Sequence, residues 1–187
     1  RRADPLKRTA LLAALVAATP VLGLVSHAET PAYTVKALTL TTTVAAEGAL
    51  GVTRCVVDAD LYTPAGVDAT HPAPAILTTN GFGGSKTDQA GAAKWAASHG
   101  YVVLSYSGLG FGADPQSGRR GSDCKISLDD RQHDGAAGKQ LVDFLGGLKA
   151  ADDGTKVDYV VKDRVAHDGK VHPGDVRVGM VGGSYGG

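Results

Sequence analysis

Short apolar runs alternate with glycine-rich and polar stretches along this chain. Tyr33 to Val44 is rich in Thr and Val, and Val52 to Tyr62 is a second strand-like run closed by the turn signal Thr63-Pro64-Ala65-Gly66. Ala75 to Thr79 is a short apolar strand, and a glycine loop follows it. Ser85 then opens a helix as N-cap, with Asp88 three residues on. That helix carries Ala90, Ala93, Trp95 and Ala97 and stops at Gly100, a residue suited to a left-handed cap. Tyr101 to Tyr106 is nearly all apolar, as a central strand of a parallel sheet should be. After the long glycine-rich loop from Gly108 to Asp123, Ser127 with Asp130 repeats the capping pattern. Ala137, Leu141, Phe144, Leu145 and Leu148 share one face of the helix that follows, which ends near Gly146-Gly147. Ala151 to Gly174 is a largely polar connection with one extended piece around Tyr159, and Val176 to Val181 is the last strand. Strand, helix, strand, helix, strand predicts right-handed crossovers and an open α/β sheet.

Composition narrows the setting. The 187 residues carry no net charge and are 43% hydrophobic, which fits one globular domain and gives no sign of nucleic acid or an acidic membrane surface as partner. The 26 glycines cluster at the ends of apolar strands, where turns are needed. Residues 1–28 have the layout of a secretory signal. Arg1, Arg2, Lys7 and Arg8 form a basic start, Leu11 to Val25 is uncharged and apolar, and Ser26-His27-Ala28 offers small residues for cleavage before Glu29. Arg1-Arg2 matches the start of a twin-arginine signal, though the rest of that pattern is poorly matched. The competing reading is a membrane anchor, but the apolar run is short for a bilayer and Pro20 interrupts it. Export places residues 29–187 in an oxidising compartment. There Cys55 and Cys124 form either a disulfide or two buried thiols, neither having a metal-ligand partner at a useful spacing.

The candidate chemistry lies at the end of the last strand, in Gly182-Gly183-Ser184-Tyr185-Gly186-Gly187, which has the pattern G-x-S-x-G. This is the nucleophile elbow of α/β-hydrolases, a tight strand-to-helix turn that thrusts a serine hydroxyl out of the backbone. Flanking glycines relieve the crowding such a turn creates. Ser184 is therefore the candidate nucleophile. An earlier strand ends in Asn80-Gly81-Phe82-Gly83-Gly84-Ser85, where an oxyanion loop is expected, so the backbone amides of Phe82 and Tyr185 are the candidate oxyanion donors. Each such donor contributes on the order of 3 kcal/mol to lowering the barrier.

Three runs carry a family resemblance: Thr79 to Lys86 (TNGFGGSK), His99 to Leu104 (HGYVVL) and Gly182 to Gly187 (GGSYGG). Through these the chain resembles the X-Pro dipeptidyl-peptidase and cocaine-esterase family of α/β-hydrolases over about residues 33–187, with a tyrosine directly after the serine as in that family. The resemblance implies an α/β-hydrolase fold with a mostly parallel sheet and flanking helices. It also implies acyl-enzyme chemistry on Ser184, a small ester or peptide substrate, and no metal or organic cofactor. Two positions depart from the family. Leu109 stands where relatives often carry arginine, and Phe82 lacks the tyrosine hydroxyl that several relatives use as an oxyanion donor.

In the chain order Ser, Asp, His, the base and its carboxylate partner should follow Ser184, so residues 29–187 are expected to be the N-terminal part of a catalytic domain, inactive alone and with an exposed sheet edge. His71, His99, His133, His167 and His172 all precede the serine, as does His27 in the signal. The reverse order, as in β-barrel proteases, conflicts with the strand-helix rhythm. His99 is expected to decorate a helix end and His172 a turn before Pro173-Gly174. Asp129, Asp130 and Asp134 are expected to be a solvated helix start favoured by the helix dipole. Two other functions compete with hydrolysis. One is a noncatalytic binding protein that keeps the hydrolase fold. The other is a nucleotide-binding protein using Gly81 to Thr87, although Ser85 stands where a phosphate-binding loop needs glycine before Lys86.

Overall fold

A computed structural model describes residues 32–48, 51–127, 130–163, 165, 168–170 and 175–186. The expected signal, residues 1–28, lies outside them, as do His167, His172 and Asp129. Five strands form one sheet: β1 (Tyr33–Ala45), β2 (Val52–Pro64), β3 (Ala75–Thr79), β4 (Val102–Tyr106) and β5 (Val178–Gly182). Their order across the sheet is β1-β2-β4-β3-β5. β1 pairs antiparallel with β2 from Tyr33 opposite Pro64 to Ala45 opposite Val52, and β2 pairs antiparallel with β4. β3 runs parallel to both β4 and β5, with Thr79 opposite Tyr106 on one side and Gly182 on the other.

This architecture corrects the expected α/β-hydrolase arrangement. The described residues form a mixed, mostly-sheet structure with two short helices, α1 (Ala90–Ser98) and α2 (Asp134–Leu145), in place of a mostly parallel sheet flanked by layers of helix. The physical reason lies in the lengths. β1 and β2 are 13 residues each and antiparallel, whereas each parallel strand is 5 residues. In β1, Leu38, Leu40, Thr42 and Val44 are buried while the residues between them are more open, the one-sided burial typical of antiparallel strands.

Both helices begin later than expected. Asp88 does accept the Ser85 amide at 3.1 Å, but the pair closes a turn ahead of α1, whose N-cap position is Gln89. Asp130 accepts the amides of Gln132 and His133, and the N-cap position of α2 is His133. Leu148, expected on the buried face, lies beyond the helix end and is exposed.

The core has two parts. On one face of the sheet, Leu38, Leu40, Leu77 and Leu104 pack with Leu141 and Phe144 of α2. On the other, Tyr62 and Val103 pack with Ala93, Ala96 and Ala97 of α1. A disulfide joins Cys55 to Cys124 across 69 positions and ties the loop after β4 to β2. Among the described residues no helix is long and apolar enough to cross a membrane. β5 is an edge strand with Met180 and Val181 exposed.

Candidate active site

The site forms because β3 and β5 are parallel neighbours in register, so the loops leaving Thr79 and Gly182 emerge side by side. After β5 the chain turns through Gly183 into a 3₁₀ turn, Ser184–Gly186. Ser184 is exposed and has φ of +55°, in the left-handed region that a side chain with a Cβ rarely adopts. Such a conformation costs of order 1 kcal/mol or more and persists where surrounding structure enforces it. The enforcement is visible on both sides. A Cβ at Gly186 would lie 2.5 Å from the Asn80 carbonyl oxygen and 2.7 Å from Thr79 Cγ2, so the turn presses directly on the end of β3. A Cβ at Gly81 would lie 3.3 Å from the Gly183 oxygen and 3.7 Å from Ser184 Cβ, which puts the early loop against the serine.

That loop is staked at both ends. Asn80 is fully buried; its side-chain amide donates to the Gly81 oxygen at 2.6 Å and its Oδ1 accepts the Gly108 amide at 2.8 Å. At the far end, the Lys86 amide donates to Ser107 Oγ at 3.0 Å, and Ser105 Oγ donates to the Lys86 oxygen at 2.7 Å. Between these stakes sits Phe82, with its ring exposed. No hydrogen bond among the described residues occupies the amide of Phe82 or of Tyr185.

Three rings gather around the elbow. Phe82, buried Phe111 and Tyr185 meet edge to face, with centroids 5.5 Å (Phe82 to Phe111), 6.2 Å (Phe82 to Tyr185) and 5.1 Å (Phe111 to Tyr185) apart. The Tyr185 hydroxyl reaches 2.7 Å from the Ser127 oxygen and 2.8 Å from Asp134 Oδ2. Asp134 is thus no solvated helix-start residue. Burial raises its carboxyl pKa above the usual carboxylate value, and the nearby charge of Asp130 adds to this, against the lowering effect of the Tyr185 hydrogen bond. Burial also raises the Tyr185 phenol, with Asp134 adding to it. A cavity of about 570 Å³ opens beside the elbow, lined by Leu77, Tyr106, Val142, Met180, Tyr185 and Asp134 among others.

The described histidines have partners other than Ser184. His71 pairs with Asp68 in an exposed turn, and His99, at the end of α1, stacks on Trp95 with ring centroids 4.3 Å apart. His133 Nδ1 lies 2.6 Å from Asp130 Oδ2. No hydrogen bond among the described residues joins Ser184 to a histidine. Lys86 is also committed elsewhere: its ammonium lies 2.8 Å from Asp58 Oδ1, 2.8 Å from Asp60 Oδ1 and 3.3 Å from the Ala59 oxygen. With three donors so placed, it offers no cation to a phosphate in the 81–87 loop.

Sequence reasoning named Ser184, Phe82 and Tyr185, and the structure brings all three together. It missed Asp134, Phe111 and the part-buried carboxylates of β2. Phe111 had a signal, since it sits among the loop glycines after β4; Asp134 and Tyr185 are 51 positions apart and had none. No family model matches the chain, and no curated protein matches it.

Proposed function

We propose that the protein is an exported serine hydrolase that cleaves small esters or peptides through an acyl-enzyme on Ser184. The observation that carries this reading is the exposed serine held at φ +55° between the end of β5 and the Gly81–Phe82 loop. A strained, exposed nucleophile beside unoccupied backbone amides is what acyl transfer requires. In the reaction, Ser184 Oγ bonds to the substrate carbonyl carbon as a base takes its proton. The carbonyl oxygen becomes negative and is received by the amides of Tyr185 and Phe82. The leaving alcohol or amine departs with a proton, and water then releases the acid. In the usual chain order of such triads the histidine and its carboxylate follow the serine. The choice of ester or peptide rests on the likeness of the elbow to the X-Pro dipeptidyl-peptidase and cocaine-esterase family. Export is supported by the Cys55–Cys124 disulfide, which persists in oxidising compartments.

The competing reading is a binding protein without turnover. A fluorophosphonate probe separates the two. The hydrolase reading expects covalent labelling of the intact protein on the peptide containing Ser184, lost in Ser184→Ala. Folded protein that stays unlabelled, or labelling that survives the substitution, refutes it.

A further inference from the structure

The Tyr185 hydroxyl has one hydrogen, yet it lies within hydrogen-bond distance of two oxygens, the Ser127 carbonyl at 2.7 Å and Asp134 Oδ2 at 2.8 Å. A carbonyl only accepts, and an ionised carboxylate only accepts, so one hydrogen cannot serve both. The count closes if the carboxyl itself carries a proton. Asp134 then donates to the phenol oxygen and the phenol donates to Ser127. We propose that Asp134 is a positioning residue for the nucleophile elbow, working as a protonated acid at the head of the relay Asp134 to Tyr185 to Ser127 and thereby fixing the Tyr185 amide beside Ser184. This rests on the hydrolase reading for its catalytic consequence, but the relay itself is a property of the fold.

The surroundings favour the protonated form. Asp134 is half-buried at the start of α2 and lines the apolar cavity beside the elbow. The groups facing it are the Tyr185 and Tyr106 phenols, the Asp130 carboxylate, the His133 ring, and Lys139 on the cavity wall. Lys139 is turned outward to Asp143, at 3.1 Å, and 76% of its side chain is exposed. Burial raises the Asp134 carboxyl first and Asp130 adds to it, against the Tyr185 hydrogen bond, the charge of His133 and the hydrogen bond from the Ser127 backbone, and the net direction is upward from the ordinary carboxylate value. The sign follows: a raised folded-state value means the relay is complete on the acid side and is lost as pH rises through that value.

Tyr185 is the residue whose amide is assigned to the oxyanion, and its ring is locked between Phe82 and Phe111. With the hydroxyl end released, the ring and its backbone can shift, and misplacement of a catalytic group by about 1 Å costs up to about a hundredfold in rate. The elbow's geometry is therefore coupled to a proton held at the start of α2.

Two readouts on the intact protein test this, both followed against pH: the fluorophosphonate labelling rate of Ser184 relative to that of Asp134→Asn at the same pH, and the amide hydrogen exchange of the segment 178–187 corrected at each pH for the intrinsic rate of a free peptide. At acid pH wild type should show slow exchange and label as fast as Asp134→Asn, with exchange quickening about tenfold as Asp134 ionises. Asp134→Asn supplies an N–H donor in place of the acid O–H, so it should keep the slow exchange at every pH and flatten the profile. Asp134→Ala and Tyr185→Phe should exchange fast at every pH and label about tenfold more slowly than wild type. The relay is refuted if Asp134→Asn behaves like Asp134→Ala, or if wild-type exchange between residues 178 and 187 is the same on both sides of the Asp134 titration. Wild type that never labels overturns the hydrolase reading, and the exchange data still decide the relay. If Asp134→Ala fails to fold, Asp134→Asn and Tyr185→Phe decide it alone.

Discussion

Replacing Lys86 by methionine should cost the fold more than any surface ion pair would. The Lys86 ammonium bridges Asp58 and Asp60 at 2.8 Å each, and the three side chains are only 9%, 14% and 17% exposed. Asp58 and Asp60 are two apart on β2 and so project from the same face of the sheet, held together by the cation between them. Methionine keeps most of the volume and removes the charge, leaving two carboxylates facing each other with little water. Breaking a buried pair from one side costs about 3–5 kcal/mol, against about 5–15 kcal/mol for the whole of a typical domain. An exposed pair is worth less than about 1 kcal/mol. At this chain length the expected loss of Tm is on the order of 10 °C. Urea unfolding followed by circular dichroism measures it, and the triple variant Lys86→Met, Asp58→Asn, Asp60→Asn should recover at least half of the loss. A single-variant cost below about 1 kcal/mol, or a triple variant no more stable than the single, would refute the account of this cluster as a part-buried network in which one cation holds two carboxylates.

Two other substitutions probe the packing around the site. Gly186→Ala drives a methyl to 2.5 Å from the Asn80 oxygen and should cost about 1–3 kcal/mol with a matching fall in Ser184 labelling, whereas Gly183→Ala, whose new methyl would meet only Gln89 Nε2 at 3.6 Å, should leave the melting curve nearly unchanged. Replacing Cys55 and Cys124 together by alanine opens a loop of 69 positions; the chain-entropy relation sets the loss at about 4 kcal/mol, readable as a fall in the urea midpoint, and no change at all would mean the bridge is not formed in the purified protein.

The strands were legible because their composition is local information. Ala75 to Thr79 has the same limits in the sequence reading and in the structure, and Tyr101 to Tyr106 differs by one residue. Helix starts were not, because the S-x-x-D signal describes a hydrogen-bonded turn whether or not a helix follows. Ser85 and Asp88 form that turn, and the helix waits until Ala90. Fold class failed for a different reason. Counting strands and helices in order treats every strand alike, but direction is set by long-range pairing. The evidence for an antiparallel start was available in β1, where Leu38, Leu40, Thr42 and Val44 recur at every second position and lie buried in one row. A reading that weighed this alternation would have placed a long hairpin at the head of the sheet.

At the site, the glycines around Ser184 are not equivalent. Gly183, at an x position of G-x-S-x-G, has room for a methyl, and Gly186, one of the two glycines the pattern requires, has none. The difference comes from the neighbouring strand. β3 ends directly beneath the turn, so the residue two past the serine meets Thr79 and Asn80, while the residue before it faces the side chain of Gln89. The same contact explains why a serine can be kept at φ +55° at all. With Gly186 seated on Asn80, and Asn80 fixed through the Gly81 oxygen and the Gly108 amide, the turn is braced against the ends of β3 and β4. The strain at Ser184 is thus held in part by a buried asparagine at the end of β3. No pattern centred on G-x-S-x-G contains that asparagine, because the brace belongs to the adjacent parallel strand and exists only once the sheet has formed.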